Sequence, residues 1–323
     1  MRYEPLTAAH ISGLQRLWNT EWGHSFPMRE RLLVQNVLED RNVVGAGTRV
    51  AIDEATGELA GYVVAKRWQD SIGGLDYGSE LGWIHALLVA PAYRGQGIGS
   101  KLLSDAESVL RDRGVKQIQI GSDFHMRVFP GVPMPCDDVS AWLEKRGYVN
   151  QRLVFDLYRE YEDADAEPLP ERESVLFRPL KADEADSFNA FMRRCFPGWV
   201  YQTLHYWQRG GDGREFVVCE KDGEIIGFCR INDSHSPILA QNIYWSPLFE
   251  QELGGIGPLG IDERYRGHGY GLDIVKAGVH HLHRRGIRNI VIDMTPFVDF
   301  YGKLGFQTWR SYVSFRKRFA EAD

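Results

Sequence analysis

A glycine-rich hexapeptide occurs twice in the sequence, with glycine at every second position. The copies read Arg94-Gly95-Gln96-Gly97-Ile98-Gly99 and Arg266-Gly267-His268-Gly269-Tyr270-Gly271, each between a strand-like and a helix-like segment. Glycine adopts backbone conformations closed to other residues and lets a ligand approach the main chain. The unpaired amide groups of a helix's first turn attract phosphate. The two loops therefore predict binding of a phosphate-bearing molecule.

The spacing of the glycines separates these loops from other phosphate-binding motifs. A dinucleotide fingerprint requires G-x-G-x-x-G, and a nucleotide P-loop requires Gly-Lys-Ser or Gly-Lys-Thr. Both copies instead read R-x-x-G-x-G, and residues 80–94 align without gaps with residues 252–266. A duplicated loop in matched surroundings indicates an internal repeat.

Each loop, with its preceding hydrophobic strand and following amphipathic helix, resembles the coenzyme-binding motif of the GNAT family of N-acetyltransferases. The resemblance covers nearly the whole chain, as two complete domains in tandem. It implies an α/β fold of two tandem domains, each a mixed, mostly antiparallel sheet that splays after the motif strand and is flanked by helices. It also implies acetyl-CoA as co-substrate and a small amine as acceptor.

The resemblance assigns coenzyme-binding roles to both copies. In the family, amides of the loop hold the pyrophosphate and the preceding strand pairs with the pantetheine arm. Residues 266–271 and 94–99 are the corresponding loop positions, and the matching strand positions are Leu259, Ile261, Leu87 and Val89. Amide groups near Gly257 are expected to polarise the thioester carbonyl.

A tyrosine in the C-terminal copy matches a late family motif that lies near the coenzyme sulfur. The segment 297–306 carries Tyr301 before Lys303-Leu304-Gly305-Phe306. Acetyl transfer expels a thiolate, and a phenol with a pKa near ~10 can donate a proton to the thiolate of a thiol whose pKa is about 8.5. Packing against neighbouring phenylalanines is the competing role. Leu143 stands at this position in the N-terminal copy and cannot donate a proton, so we expect that domain to be non-catalytic or regulatory while still able to bind acetyl-CoA.

The attacking amine must lose a proton, and carboxylates near the motif strand are the candidates. Glu252, which matches Glu80, is predicted as the general base, directly or through water. A solvated strand-end carboxylate is the alternative. His85 is a candidate in the N-terminal copy, and Asp293 and Asp299 are further candidates that the sequence does not rank.

The copies differ by an additional segment in the N-terminal one, Phe124 to Asp137. Its prolines make it stiff, and two roles are open: it shapes an acceptor pocket, or it covers the splayed sheet. His280, His281 and His283 form no i, i+4 pair that converges on an ion, so no metal site is predicted.

The remaining elements repeat in the same order. Residues 3–8 and 177–182 are short strands that run into amphipathic helices. Hairpins with polar turns follow at residues 50–64 and 216–228. After each loop, a helix with one apolar face ends at a glycine, and another strand follows.

Length and composition fit two globular domains. The chain has 323 residues, is 43% hydrophobic and 25% charged, and carries a net charge of −6, which argues against a nucleic-acid-binding surface. An acidic stretch from residue 160 indicates a linker. The predicted boundaries are an N-terminal domain over 1–160, a linker over 161–173 and a C-terminal domain over 174–323.

Four scattered cysteines, no signal peptide and no bilayer-spanning run predict a cytoplasmic protein that does not enter a membrane. The resemblance predicts transfer of acetyl to a primary amine of a small molecule by direct attack in a ternary complex. Tandem family members that act on amino sugars and on the mycothiol precursor suggest an amino sugar. A non-enzymatic acetyl-CoA sensor and a protein-lysine acetyltransferase stay open as alternatives.

Overall fold

A computed structural model describes residues 1–162 and 167–319. The chain forms two compact units. Unit 1 contains residues 1–154 and 310–323, and unit 2 contains residues 155–309.

Unit 1 carries an antiparallel meander that precedes its glycine loop. Its strands and helices are β1 (Arg2–Pro5), α1 (Ile11–Trp22), α2 (Glu30–Leu33), β2 (Arg49–Ile52), β3 (Leu59–Arg67), β4 (Leu81–Val89), α3 (Ile98–Asp112), β5 (Gln117–Ile120), β6 (Val132–Pro133), α4 (Asp137–Glu144) and β7 (Val149–Glu160), whose first residues belong here. Strands β1 to β4 pair antiparallel in sequence order, and β5 pairs parallel to β4.

Unit 2 repeats this plan. Its strands and helices are β8 (Val175–Pro179), α5 (Ala185–Cys195), α6 (Val200–Gln208), β9 (Phe216–Lys221), β10 (Glu224–Asn232), β11 (Leu253–Ile261), α7 (Tyr270–His283), β12 (Asn289–Thr295), α8 (Val298–Gly302) and β13 (Gln307–Arg318), which ends in unit 1. Strands β8 to β11 are antiparallel, and β12 is parallel to β11. The predicted fold class is confirmed.

The helix after each loop packs on one face of its sheet. In α3 the buried residues are Ile98, Leu102, Leu103, Ala106 and Leu110. In α7 they include Ile274, Val275 and Leu282, which contact a core formed with β9, β10 and β11. Both cores follow the apolar spacing of the sequence. His283 is an exception, because this polar residue is buried and its ring contacts that of Tyr161.

The compact units differ from the predicted boundaries in two strand segments. Residues 155–160 of β7 pair antiparallel with β12 in unit 2. Residues 315–318 of β13 pair antiparallel with β5 in unit 1. Each sheet therefore takes one strand from beyond the predicted boundary. These pairings satisfy backbone groups of β5 and β12.

The predicted linker over 161–173 includes Tyr161, which is buried in the core of unit 2 and donates its backbone N–H to the Arg288 carbonyl at 3.0 Å. Residues 163–166 of this linker lie outside the described residues. Within the described parts of the chain, no helix combines the length and apolar character needed to cross a membrane.

Candidate active site

The two glycine loops have the same backbone geometry. Gly95 and Gly97 have φ values of +76° and +81°, and Gly267 and Gly269 both have +84°. Only glycine adopts this region without strain. Gly97 and Gly269 are the N-caps of α3 and α7. Each loop thus presents the first amide groups of a long helix to solvent, an arrangement that favours an anion.

The arginine that begins each loop fastens the loop to the strand before it. Nε of Arg94 donates to the Val89 carbonyl at 3.0 Å, and Nε of Arg266 donates to the Ile261 carbonyl at 3.1 Å. The loop is therefore held at the end of β4 or β11, beside the strand residues predicted to pair with the coenzyme.

Each parallel strand pair opens half-way along its length. β4 pairs with β5 only from Leu81 to Ile84, and β11 pairs with β12 only from Leu253 to Ile256. The rest of β4 and β11, which includes Leu87, Val89, Leu259 and Ile261, has a strand neighbour on one side only. An extended molecule can add to such an edge through backbone hydrogen bonds.

A bulge lies where each strand pair opens. In unit 1 the register shifts between Val64 and Ala65, which face Ala86 and Ile84, so His85 is the extra residue. In unit 2 it shifts between Cys229 and Ile231, which face Leu259 and Ile256. Bulges turn backbone groups out of the ladder, so amide groups here are available to a ligand.

Tyr301 lies in α8 in the core of unit 2 and is 7% exposed. Its ring contacts that of Phe300, with centroids 4.9 Å apart. Burial, together with Cys229 and Asp293, raises the pKa of its hydroxyl above the ordinary value. The phenol is therefore protonated at neutral pH, as a proton donor must be. Leu143, its counterpart in unit 1, is buried in an apolar core.

Asp293 lies at the point where β11 and β12 separate. Ile256 and Ile292 are the last paired residues of the two strands, and Gly257 and Asp293 come next. The Oδ1 atom of Asp293 lies 3.7 Å from the position that a Cβ on Gly257 would occupy. Sequence spacing alone did not rank Asp293 above other carboxylates, although its place directly after the paired segment was a usable signal.

Glu252 lies at the opposite end of the paired segment. It precedes Gly257 by five residues, or about 17 Å along an extended strand. Its carboxylate accepts hydrogen bonds from the backbone N–H and the hydroxyl of Ser234. The structure does not bring Glu252 to the bulge, and its role as base stays a prediction.

An arginine that sequence reasoning missed lies against the loop of unit 2. Nε of Arg172 donates to Oδ2 of Asp273 at 2.8 Å. Its Nη2 atom lies 3.3 Å from the position of a Cβ on Gly269. The guanidinium is thus held beside the anion-binding amides, with donors to spare. It comes from the stretch predicted as a linker, where no motif marks it.

In unit 1, the space beside the bulge is filled by a buried ionic cluster. Nζ of Lys66 contacts Oδ2 of Asp123 at 2.8 Å and Oδ2 of Asp40 at 2.9 Å, and Nδ1 of His85 lies 3.0 Å from Asp123. All four side chains are at least nine-tenths buried. Burial and Lys66 lower the pKa of His85. The imidazole is therefore neutral and shares one buried network with Lys66, Asp40 and Asp123. Nε2 of His85 and Oδ1 of Asp123 have no partner among the described residues.

The additional segment of unit 1 closes over this cluster. The Met126 carbonyl accepts a hydrogen bond from Lys66 at 3.3 Å. Phe124 contacts Trp68, and Phe129 stacks on Trp18 of α1 with centroids 5.5 Å apart. Of the two predicted roles, these contacts support a cover over the sheet.

One group among the described residues has ligand atoms spaced for a cation: Asp233, His235 and Glu252. Arg214 and Arg285 both contact Oδ2 of Asp233 at 2.7 Å. A cation would have to compete with two guanidinium groups for this carboxylate, so nothing in the arrangement calls for one.

A sequence profile described as the Acetyltransferase (GNAT) family matches residues 11–126 and 181–306. The chain belongs to this family. The predicted family and the predicted enzyme class, an acyltransferase, are thereby confirmed, and members of this class use acyl-CoA.

Curated relatives include mycothiol acetyltransferases. That of Corynebacterium glutamicum is 35% identical over 250 residues, which cover 72% of this chain and 74% of the relative. That of Geodermatophilus obscurus is 27% identical over 292 residues, covering 84% and 82%.

Solved structures share the tandem architecture. A GCN5-related glucosamine N-acetyltransferase region of a fungal multi-domain β-N-acetylglucosaminidase superposes with a TM-score of 0.86 at 25% identity. The match covers 98% of this chain but 38% of that one. A tandem GNAT protein from the clavulanic acid biosynthesis pathway superposes with a TM-score of 0.67 over all of this chain and 99% of that one, at 15% identity.

Proposed function

We propose that the chain transfers the acetyl group of acetyl-CoA to a primary amine of a small molecule, with an amino sugar as the first candidate. Transfer takes place in unit 2. The observation that carries this assignment is the placement of Asp293 beside Gly257, where the strand pair opens, with Tyr301 in the same core. The names of the relatives support the class of acceptor.

Coenzyme binding follows from the free backbone groups of unit 2. The amides of residues 266–271 hold the pyrophosphate, and Leu259 and Ile261 pair with the pantetheine arm along the open edge of β11. The thioester then lies at the bulge, where an amide group near Gly257 hydrogen-bonds its carbonyl oxygen. Such a fixed donor stabilises the negative charge that develops on this oxygen during attack.

The reaction moves one proton from the amine and returns one to the sulfur. The amine nitrogen forms a bond to the carbonyl carbon while Asp293 accepts its proton, directly or through water. The carbon–sulfur bond then breaks, and the Tyr301 hydroxyl protonates the thiolate. Glu252 is the alternative base, and Asp293→Asn compared with Glu252→Gln distinguishes them. A loss of kcat in Glu252→Gln alone would contradict the assignment of Asp293.

Unit 1 binds the coenzyme without transferring its acetyl group. It has an equivalent loop and open edge, formed by residues 94–99, Leu87 and Val89. It lacks the phenol, because Leu143 replaces it, and the buried cluster of Lys66 occupies the space beside its bulge. Unit 1 therefore supports or regulates unit 2.

Calorimetry with acetyl-CoA and loop variants tests this division. Gly97→Glu and Gly269→Glu each place a carboxylate in one loop. The matched controls are Gly57→Glu and Gly223→Glu. These hairpin glycines have positive φ, as the loop glycines do, and no described atom lies within 4 Å of a Cβ placed on them. We expect two molecules to bind per wild-type or control chain, and one to bind to each loop variant. Only Gly269→Glu should abolish thiol release with an amine panel.

The other outcomes each point to a different function. Loss of thiol release in Gly97→Glu alone would place transfer in unit 1. Coenzyme binding without acetylation of any amine would favour the sensor, and acetylation of lysine peptides but no small amine would favour a protein acetyltransferase. Failure to bind acetyl-CoA would contradict the proposal as a whole.

A further inference from the structure

We propose that Arg230 determines the acceptor specificity of unit 2, by donating hydrogen bonds to a neutral hydroxyl oxygen that the acceptor carries near its amine. This inference rests on the proposed function and specifies the acceptor at the same site. Four polar side chains carry it: Arg230, Asn232, Asn242 and Asp293.

Arg230 lies on β10, on the face of the sheet that is turned away from α7. Its neighbours Cys229 and Ile231 pack against Gly278 of α7. Because side chains alternate along a strand, Arg230 faces the other way. Its guanidinium lies 5.8 Å from the ring centroid of Tyr206 and 5.9 Å from that of Phe216. It is therefore held on the α6 side of the sheet.

Some buried hydrogen-bonding groups on this face have no partner among the described residues. Arg230 is 3% exposed, and its Nε and Nη2 atoms have no partner among the described residues. Asn232, two residues along the same face, is fully buried, and its Oδ1 atom also lacks a partner. Buried polar groups in proteins are nearly always satisfied. Two donors and one acceptor at one place indicate a polar ligand.

A chain of contacts links these groups to Gly257, where the acetyl group is proposed to be transferred. Nδ2 of Asn232 donates to Oδ1 of Asn242 at 3.2 Å. Nδ2 of Asn242 lies 4.0 Å from the position of a Cβ on Gly257, and Oδ1 of Asp293 lies 3.7 Å from the same position. A molecule whose amine meets the thioester at Gly257 therefore has Asp293 near its nitrogen and this polar face beside it.

The charges of this region favour a neutral oxygen over a carboxylate. Asp233 contacts Arg214 and Arg285, and Glu215 contacts Arg214. Glu252 lies beside Asp233. With Arg230, Asp293 and Glu252 included, three positive groups face four negative ones. A carboxylate on the acceptor would add an unbalanced negative charge, whereas a hydroxyl satisfies the Arg230 donors and leaves the balance unchanged.

Among the described residues of unit 1, different side chains occupy the matching positions. Val64 stands where unit 2 has Arg230, and Lys66 stands where unit 2 has Asn232. Lys66 already contacts two carboxylates and a carbonyl. On the matching face of β3, the buried group without a partner among the described residues is the hydroxyl of Tyr62. Guanidinium donors at this position thus occur in the unit to which transfer is assigned.

Steady-state kinetics with two six-membered-ring amines test the proposal. D-Glucosamine carries hydroxyls beside its amine, and cyclohexylamine carries none. We expect wild type to prefer glucosamine by kcat/KM. Arg230→Met should reduce that preference by about 100-fold, mainly through KM for the amine, since a site built to bind a hydroxyl loses its discrimination without the donors. Arg284→Met, which changes an exposed arginine of unit 2, is the matched control and should retain the wild-type preference.

Further measurements separate this role from a structural one. Asn232→Ala should also reduce the preference, and both variants should bind acetyl-CoA as wild type does. An equal loss on both amines, or a loss of acetyl-CoA binding, would show that Arg230 supports the fold and would overturn the proposal. Preference for 2-aminocyclohexanecarboxylate over glucosamine would overturn the choice of a neutral oxygen.

Two failures remain distinguishable in the same experiment. If wild type acetylates no amine, the proposed function fails, and the inference fails with it. If wild type acetylates glucosamine and Arg230→Met keeps the same preference, only the inference fails.

Discussion

At the scale of single residues, Tyr301 offers the most direct test of the assigned chemistry. Its hydroxyl has no protein partner among the described residues, and its ring is buried. Tyr301→Phe should therefore fold normally. We expect kcat to fall about 100-fold, the usual contribution of a positioned proton donor, with little change in KM for acetyl-CoA. Tyr265→Phe, another partly buried tyrosine of unit 2, is the control.

The pH dependence gives a second measure of Tyr301. Because burial raises the pKa of its hydroxyl, the phenol should keep its proton throughout the range from about pH 6 to pH 10. In wild type, kcat should therefore show no decline at alkaline pH that depends on Tyr301. A decline below pH 10 that is absent in Tyr301→Phe would contradict the raised pKa of this hydroxyl.

The buried cluster of unit 1 predicts that removing the charge of Lys66 strongly lowers the free energy of unfolding. Lys66→Met would leave Asp40 and Asp123 buried without their cation, and breaking a buried pair in this way costs about 3–5 kcal/mol. Lys116→Met is the control, because Lys116 and Glu80 form an exposed pair worth about 0–1 kcal/mol. Urea unfolding measures the free energy of unfolding of both variants. Similar decreases in the two would contradict a stabilising role of the cluster.

The same cluster predicts that unit 1 is weakened by acid. Burial and Lys66 lower the pKa of His85. Below about pH 6.5 the imidazole is therefore protonated in the unfolded chain but stays neutral in the folded state. For Asp123, burial acts upward, but Lys66 and His85 outweigh it and lower the pKa. Both groups therefore stabilise the fold at neutral pH and lose that effect as the pH falls. His85→Gln should flatten the decline between about pH 7 and pH 5 in urea unfolding.

At the scale of the elements, each glycine loop acts together with the helix and strand that flank it. In unit 2 the Arg172 guanidinium lies 3.3 Å from the position of a Cβ on Gly269, whereas no described atom lies within 4 Å of that position on Gly97. Arg172→Gln should raise KM for acetyl-CoA about tenfold, as expected for the loss of one charged hydrogen bond to a phosphate. Turnover of the short thioester acetyl-N-acetylcysteamine, which has no pyrophosphate, should be unchanged. Equal losses on both thioesters would exclude a phosphate contact.

The elements themselves followed closely from the sequence. The spacing of the glycines predicted both loops, and the apolar residues of α3 and the two hairpins were placed correctly, because these features depend on neighbours close in the chain. The sequence did not predict the Lys66 cluster, the position of Arg172 at the loop, or that Asp293 ranks above the other carboxylates. These contacts join residues that are distant in sequence and that come together only after the sheet has formed, so no local pattern predicts them.

At the scale of the whole molecule, the two units do not coincide with the two sequence repeats. A strand's alternating pattern indicates which face is buried but not which edge it joins. Residues 155–160 and 315–318 therefore look like the last strands of their own repeats, yet they pair with β12 and β5, respectively. The number of domains follows from the sequence, whereas this exchange of strands depends on long-range pairing.

The exchange predicts which fragments are stable alone. Residues 155–309 contain every segment of unit 2, whereas residues 174–323 lack the strand that pairs with β12. We expect the first fragment to unfold cooperatively with temperature in circular dichroism, and the second to show a weaker, broader transition. Cooperative unfolding of both fragments with equal midpoints would mean that the segment 155–160 contributes little to unit 2.

The position of residues 315–318 also sets an order of events during protein synthesis. The ribosome releases all of unit 2 before it releases the strand that pairs with β5, even though most of unit 1 is made first. Until residues 315–318 have been synthesised, the nascent chain of unit 1 carries an unpaired strand edge, which is a hazard for aggregation. Unit 2 can thus fold first, and unit 1 depends on a strand that is made after it.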